Sequence, residues 1–574
     1  MPANPSMADA RLEFAIQLAE KANDPYAWLI AVQARYSRAQ QKQAAPAELA
    51  AIRNSLWARA DVLRGQFRSR GARLWAGQVI EQTMGPLFRD EFAAGDVSPA
   101  RMLEMMEAVK ARTLLDQMHR EFRELPTLEL QQQAMSIERQ LTYFAPDTEP
   151  AEVLSEIRLT SQLPLESRSG PSPQQDLLQQ VERIYTDANA GFSGVQPVRT
   201  LTEIQQALEP REAFIEYAIP YHPLHPAFRL HALLVTQADA FHIECDLSLL
   251  PAGSFVGKLI ADDKQPMDAS PLGQAIVNAR TDIQDGEDPD ADTSLELLHD
   301  LLIAPLVERG LDFKSLDRLV IVPHRMLHSV PWAALCTEDG RRLVQDVAVT
   351  VAPSASIWHT LATRAPLQLE SFLALANPQP MPNPKLPPLL QAESEVDEIG
   401  KGLAGLQTVV LKRTEATEDA LRHQVAGKNI VHFATHGEFP MQDALDFHSL
   451  LLAPSDANDG RVRAEELRAM DFHSASLVVL SICNGGIYRF GPGDEPYGLS
   501  PALLAAGAHH LLGTLWSIED WAGRQFVVKF YSNVLKSGPA EALRMAACEY
   551  LEKGWDLRLW AAFVAVGTGR PFAE

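Results

Sequence analysis

From residue 370 onward, short apolar runs alternate with amphipathic segments, and this alternation restricts the fold more than any other feature. "SFLALAN" reads as a strand, followed by the proline-studded "PQPMPNPKLPP" and the helical "AESEVDEIGKGL". "LQTVVL", "KNIVHFA", "ASLVVLSI" and "AHHLLGTLW" read as further strands. The segments between and after them, "TEDALRHQVA", "AEELRAM", "GLSPALLAAG" and "WAGRQFVVKFYSNVL", have helical periodicity. Strand and helix in turn predict a mostly parallel sheet with helices on both faces. In such sheets chemistry collects beyond the carboxyl ends of the strands.

Two of those ends carry reactive side chains. "VHFATHGEFP" runs out of its strand into His436 and Gly437, and "LVVLSICNGG" delivers Cys483 past the next hydrophobic strand. A separation of 47 residues (483 − 436) suits one strand–helix–strand crossover with a loop insertion. A thiol and an imidazole at adjacent strand ends form a nucleophile and its base. The backbone N–H groups of Gly437 and Cys483 are the expected oxyanion donors, with Gly485 and Gly486 keeping the nucleophile turn open. His432 and Thr435 read as structural residues of the strand and its turn.

The rest of the chain divides by texture. Residues 1–125 carry apolar residues at three- and four-residue spacing, as in "ELAAIRNSLWARADVLRGQF", and are expected to form helical hairpins like degenerate tetratricopeptide repeats. In "SPARMLEMMEAVKARTLLDQMH", Ser98 is the expected N-cap and Pro99 lies in the first turn, with an apolar stripe through Met102, Met106, Val109 and Leu114. Residues 126–195 read as a helical linker containing the loop "SRSGPSP". Residues 196–365 mix short β-rich runs such as "EAFIEYAI" and "DRLVIVPH" with the helix "LELLHDLLIAPLVERG", and residues 366–574 are the alternating region. "TDIQDGEDPDADT" lacks the ligand spacing of a calcium loop and reads as a solvated connection. His324 and His328 in "PHRMLHS" are bracketed by prolines in a turn, which does not suit paired metal ligands.

Composition bounds the function. The chain has 574 residues, 46% of them hydrophobic and 22% charged, with a formal net charge of −23. That charge argues against direct nucleic-acid binding and for a basic partner segment. The four cysteines have no CxxC spacing, so neither a zinc site nor a disulfide framework is expected, and no cofactor is implied. Without a signal-peptide pattern or a long apolar run, a soluble cytoplasmic protein without membrane attachment is expected.

The strings "HFATHG", "LVVLSICNGG", "GLSPALLAAGAHHLLGTLWSIED" and "LRLWAAFVAVG" resemble the CHAT family, the caspase-like domain that commonly follows tetratricopeptide repeats. Upstream, "FIEYAI", "LLIAPLV", "VIVPHRMLHSVPWAAL" and "SFLALANP" are similar to the same family, so the resemblance covers about residues 196–574. "MEAVKARTLLDQ" is similar to the helix that joins the repeats to it. The resemblance implies an α/β caspase-like fold after an all-α region, with residues 196–365 an inactive first lobe and 366–574 the catalytic lobe. It also implies a cysteine endopeptidase of the caspase, gingipain and separase kind, with His436 as base and Cys483 as nucleophile. Where the family has a polar pair after the cysteine, this chain has Asn484 and Gly485, so the neighbouring subsite is expected to differ.

Three readings of that site stay open: a peptidase acting on a protein substrate, a catalytically silent interaction scaffold, and a cysteine-dependent acyl hydrolase. For a peptidase, the acids nearest the catalytic turn are Asp494 and Glu495, with Glu519 and Asp520 following the strand "HLLGTLW". Asp494, Glu495 and Asp520 are the expected substrate-binding residues, selecting Lys or Arg before the scissile bond. The N-terminal helices are expected to bind an activating protein or complex. "MEAVKARTLLDQMHREF" is expected to be a helix continuous enough to transmit a shift into the first lobe.

Overall fold

A computed structural model of the chain describes residues 7–22, 24–93, 97–118, 125, 127–143, 173–192, 194–219, 229–250, 259–260, 266–267, 270–285, 291–439, 448–483, 485–486, 489–491 and 494–573. The "SRSGPSP" loop lies outside them apart from Pro173. The chain forms two compact units. One comprises residues 1–96 and 115–197; the other comprises 97–114 and 198–574. The expected boundary at residue 125 is therefore replaced by a chain that enters the second unit at Val97, leaves it after Leu114 and returns at Val198.

Among its described residues, the regular elements of the first unit are all helices. Its helices are α1 (Met7–Ala22), α2 (Pro25–Gln41), α3 (Pro46–Gly65) and α4 (Arg70–Ala93), followed after the excursion by α7 (Leu128–Tyr143) and α8 (Pro173–Asp187). Asp24 caps α2 by accepting from Ala27 N–H at 3.0 Å, and Pro25 occupies the first turn, where its missing N–H costs nothing. Arg73 is wholly buried but fully engaged. It pairs with Asp116, donates to the carbonyls of Phe67 (2.9 Å) and Gly194 (2.7 Å), and lies 3.9 Å over the Phe192 ring. A buried charge is tolerated only when its hydrogen bonds are satisfied in this way.

The excursion carries α5 (Pro99–Glu107) and the first half of α6 (Arg112–Gln117). Ser98 accepts from Arg101 N–H at 3.3 Å, as the N-cap reading expects. The single long helix expected beyond it does not form. The chain breaks between Glu107 and Arg112, where Ala111 takes a φ of +50°. Long-range contacts override local helix propensity there. The Glu107 carboxylate accepts from the N–H groups of Ala355 (2.9 Å) and Ser356 (2.7 Å). Buried Lys110 donates to the carbonyls of Tyr217 and Pro323, both at 3.1 Å, and lies 3.1 Å from the Glu216 carboxylate.

The second unit is built on one eleven-stranded sheet. In chain order its strands are β1 (Glu212–Ala218), β2 (Leu230–Val235), β3 (Ala240–Cys245), β4 (Arg318–Val322), β5 (Ala348–Val351), β6 (Ser371–Ala376), β7 (Gln407–Lys412) and β8 (Ile430–Ala434). A small separate sheet of β9 (Gly437–Glu438), β10 (Ser449–Leu451) and β11 (Arg461–Arg463) intervenes. Then come β12 (Leu477–Ser481), the hairpin β13 (Arg489–Gly491) and β14 (Glu495–Tyr497), β15 (Leu511–Thr514) and β16 (Phe563–Val566). Across the large sheet the order is β3-β2-β1-β4-β5-β16-β15-β12-β8-β6-β7.

Strands drawn from residues 212–351 and from residues 371–566 thus share a single sheet. Seven of its contacts are parallel: β1–β4, β4–β5, β5–β16, β15–β12, β12–β8, β8–β6 and β6–β7. β16 runs antiparallel to β15 and joins β5 through the one bridge Val566–Val351. The central strands are buried along their whole length, which is why they read as unbroken apolar runs rather than as alternating ones.

Helices α9 (Pro271–Asp285), α10 (Ala291–Leu302), α11 (Ala355–Ala362), α12 (Leu390–Gly402), α13 (Ala464–Arg468), α14 (Leu499–Ala505) and α15 (Asp520–Glu552) surround the sheet. The acids Asp282, Asp285 and Asp292 of "TDIQDGEDPDADT" belong to α9 and α10 rather than to a connection, and residues 286–290 between them lie outside the described set. α15 buries Ala522, Phe526, Phe530 and Val534, four residues apart along one stripe, and Phe526 stacks on Phe563 of β16 with centroids 4.1 Å apart. Its helical course is interrupted at Gly538 (φ +77°) and Pro539. Among the described residues, no helix is long and apolar enough to cross a membrane.

Candidate active site

β8 and β12 are adjacent and parallel, with Ala434 opposite Ser481. His436 and Cys483 each lie two residues beyond that aligned pair, so they leave the sheet at the same level on neighbouring strands. Strand spacing of about 4.8 Å places such positions side by side. Both residues are partly exposed and line one cavity of about 200 Å³.

Three features set the geometry around them. His436 Nε2 lies 2.9 Å from the carbonyl of Pro387, in the loop after β6. A backbone carbonyl can only accept, so Nε2 carries the proton and Nδ1 keeps the lone pair that a base needs. Leu451 N–H donates to the His436 carbonyl at 3.0 Å. Hydrogen-bonded and non-bonded pairs alternate in an antiparallel ladder, so the next pair, Gly437–Leu450, is a non-bonded one and Gly437 N–H points away from β10. The turn after Cys483 is anchored from β15: Gly486 N–H donates to the Thr514 carbonyl (2.9 Å), and Thr514 Oγ1 donates to the Ile482 carbonyl (2.8 Å). Gly486 and Gly513 meet backbone to backbone. A Cβ on Gly513 would lie 2.7 Å from Gly486 Cα and N, leaving no room for a side chain.

Of the acids expected to bind substrate, Asp520 and its neighbour Glu519 line the cavity. Asp520 accepts from Gln391 N–H at 3.1 Å. Its carboxyl titrates above the ordinary range, chiefly because burial disfavours the charge and Glu395 adds a second negative charge nearby.

Asp494 and Glu495 are not part of this cavity, which corrects the sequence-based expectation for both. Asp494 is buried, with Oδ1 accepting from Arg325 N–H at 2.9 Å and Oδ2 lying 3.9 Å from His324 Nε2. Glu495 is buried and accepts from Thr113 N–H (3.0 Å) and Leu114 N–H (2.7 Å). The backbone supplies donors that carboxylates near a glycine-rich turn satisfy before any substrate can. His324 and His328 are likewise engaged within the fold: His324 Nδ1 accepts from Ile219 N–H at 3.0 Å, and the His328 ring stacks on Phe490.

Glu395, on α12, is the cavity residue the sequence reading missed. Its Oε1 lies 2.9 Å from His432 Nε2, and His432 Nδ1 lies 3.2 Å from the Tyr531 hydroxyl. All three side chains are buried, and burial together with the Glu395 charge pushes the Tyr531 phenol well above its ordinary value. His432 is therefore structural in a specific way: it holds a carboxylate that lines the cavity. Among the described residues, the cavity lining contains three carboxylates, no lysine and no arginine, with apolar walls from Leu389, Ala392, Ile518 and Phe563.

Comparison with known proteins places these residues in a family context. Residues 292–568 match the CHAT domain. The human and mouse tetratricopeptide repeat protein 28 are each 26% identical, over 333 and 344 residues respectively; either alignment covers 48% of this chain and 13% of the relative's length. The yeast (Saccharomyces cerevisiae) separase–securin complex is a structural neighbour at TM-score 0.37 and 12% identity, covering 98% of this chain and 48% of that one. The Arg-specific cysteine proteinase gingipain R aligns at TM-score 0.34 and 8% identity, over 51% of this chain and 71% of the other. The chain thus spans less than half the length of the first of its relatives in each comparison.

Proposed function

We propose, from the premise that residues 292–568 match the CHAT domain, that this chain is a cysteine endopeptidase. His436 Nδ1 takes the Cys483 thiol proton, and the thiolate adds to the scissile carbonyl. The N–H groups of Gly437 and Cys483 stabilise the resulting oxyanion. The imidazolium then protonates the leaving amine, and water, activated by the same imidazole, hydrolyses the thioester. Pro387 holds the imidazole in its working tautomer, as the third member of a triad does. The observation that carries this reading is the common level of His436 and Cys483 beyond paired parallel strands, on one cavity.

The cavity also argues for a substrate class. A cavity whose lining combines apolar walls with Glu395, Glu519 and Asp520 suits the methylene stem and cationic head of a lysine or arginine side chain. A positional-scanning peptide library tests both points together. Cleavage after Lys or Arg, lost in Cys483→Ala and relaxed in Asp520→Asn, is the expected outcome. A preference for Asp at that position, or no Cys483-dependent cleavage of any peptide, overturns the reading.

The helical unit is the proposed docking surface for an activating protein, since stacked helical hairpins commonly bind peptides and partner proteins. A partner raises activity only by the margin with which it binds the aligned state better; about 3 kcal/mol gives roughly 100-fold.

A further inference from the structure

Glu495 lies on β14, twelve residues beyond Cys483, yet both its oxygens are committed to N–H groups more than 380 positions earlier in the sequence. Those donors, Thr113 and Leu114, belong to the first turn of α6, where helical N–H groups have no partner within the helix. A helix usually draws its cap from the residue just before it. Here the helix restarts after the positive-φ Ala111, and a carboxylate from the catalytic lobe caps it.

We propose that Glu495 is a positioning residue: it ties the segment leading into the helical unit to the turn that carries Cys483, so that the setting of the nucleophile follows that segment. The proposal rests on the peptidase reading of Cys483 and assigns a regulatory contact to that site.

Both sides of the contact are fixed. On the segment, Glu107 caps the start of α11 and Lys110 plugs the ends of β1 and β4, so residues 107–114 are held by side-chain charges at three points. Beside Glu495, Asp494 (φ +49°) accepts from Arg325 N–H, and Phe490 stacks on His328 with centroids 4.2 Å apart. From Glu495 the chain runs through β14 and Gly498 (φ +132°) into α14. There buried Ser500 Oγ donates at 3.0 Å to the carbonyl of Gly485, two residues past the nucleophile. Leu114 N–H, Glu495, β14, Ser500 and Gly485 therefore form a continuous route of hydrogen bonds and short backbone. The chain passes into the helical unit at Leu115, the residue after this contact.

The test uses the full chain, three single variants (Glu495→Ala, Glu495→Gln and Thr113→Pro) and the double variant that combines Glu495→Ala with Thr113→Pro. The proline removes one donor from the first helical turn, where proline is tolerated, and residue 113 is remote in sequence from the nucleophile. Three quantities are read: the alkylation rate of Cys483 by iodoacetamide, resolved by mass spectrometry; kcat and KM on a fluorogenic lysyl or arginyl amide; and thermal unfolding. The expected result is a loss of at least about 10-fold in alkylation rate and kcat, with KM within about 2-fold, since sub-ångström misplacement costs rate rather than binding. Glu495→Ala and Thr113→Pro combined should cost no more than the worse single variant, because both break one link. Wild-type alkylation and kcat in folded variants, with only a lowered unfolding temperature, would make Glu495 a structural staple and overturn the proposal. The alkylation rate decides this even without peptide turnover. Failure of the peptidase reading has a separate signature: no turnover by wild type, and Cys483 alkylation unchanged by His436→Ala.

Discussion

Gly513→Ala tests how the turn that carries Cys483, the proposed nucleophile, is supported. The built methyl would lie 2.7 Å from Gly486 Cα and N and 3.1 Å from Gly485 C. Ordinary contact begins near 3.4 Å, so the backbones must part by about 0.7 Å (3.4 − 2.7), and the obstructing atoms are main chain rather than a side chain that can rotate away. That movement strains the Gly486 N–H bond to Thr514, which fixes the turn three residues past Cys483. Overpacking of this size costs about 1–3 kcal/mol of stability. Displacement of a nucleophile by most of an ångström costs about 100-fold in rate. The assay is kcat/KM on a lysyl or arginyl peptide amide beside urea unfolding, with Gly405→Ala, an exposed position with nothing within 4 Å, as control. A folded Gly513→Ala with wild-type turnover refutes the reasoning, and so does an equal loss in Gly405→Ala.

Cys483→Ala and His436→Ala should each reduce peptide cleavage by about 10³-fold or more, and the double variant no further, because the two act as a unit; turnover with a KM series measures this, and Cys245→Ala is the tolerant comparison. KM for a lysyl peptide should rise as pH falls through the raised titration of Asp520, because the carboxylate that meets the cation is then lost; in Asp520→Asn this rise should disappear. The same raised value means that Asp520 favours folding below its unfolded range near pH 3.9 and that this contribution is lost as pH rises through the folded value, so Asp520→Asn should be no less stable than wild type at neutral pH in urea unfolding. Arg570→Met should destabilise the second unit by about 3 kcal/mol in urea: burial raises the Glu212 carboxyl, the Arg570 hydrogen bond and the charges of Arg318 and Arg570 bring it below its ordinary value, and removing one partner exposes the burial cost.

What was legible in the sequence followed from local physics. "IVHFA" and "LVVLS" are buried on both faces, so they read as strands, and their parallel pairing put His436 and Cys483 at equal height. What was illegible depended on partners far away. Asp494 and Glu495 read as cleft acids because their real partners, Arg325 and Thr113–Leu114, are 169 and over 380 positions distant. The helix expected through "MEAVKARTLLDQ" is broken because Lys110 has donors to place in Tyr217 and Pro323, contacts that helix propensity does not encode. Glu395 is one of the four acids of "AESEVDEIG", and nothing in the local pattern separates it from the other three. Only the fold turns it inward, onto a histidine that had itself read as ordinary strand filling.

Covalent capture of Cys483 tests the central claim most directly. The full chain is incubated with a peptidyl-lysyl or peptidyl-arginyl acyloxymethyl ketone, which a cysteine peptidase converts to a thioether, and the product is mapped by mass spectrometry. The account predicts one adduct, on Cys483, that is absent in Cys483→Ala, slowed by about 100-fold or more in His436→Ala, and unaffected by Cys245→Ala. An adduct spread over several cysteines, or one that forms on Cys483 equally fast in His436→Ala, would contradict it.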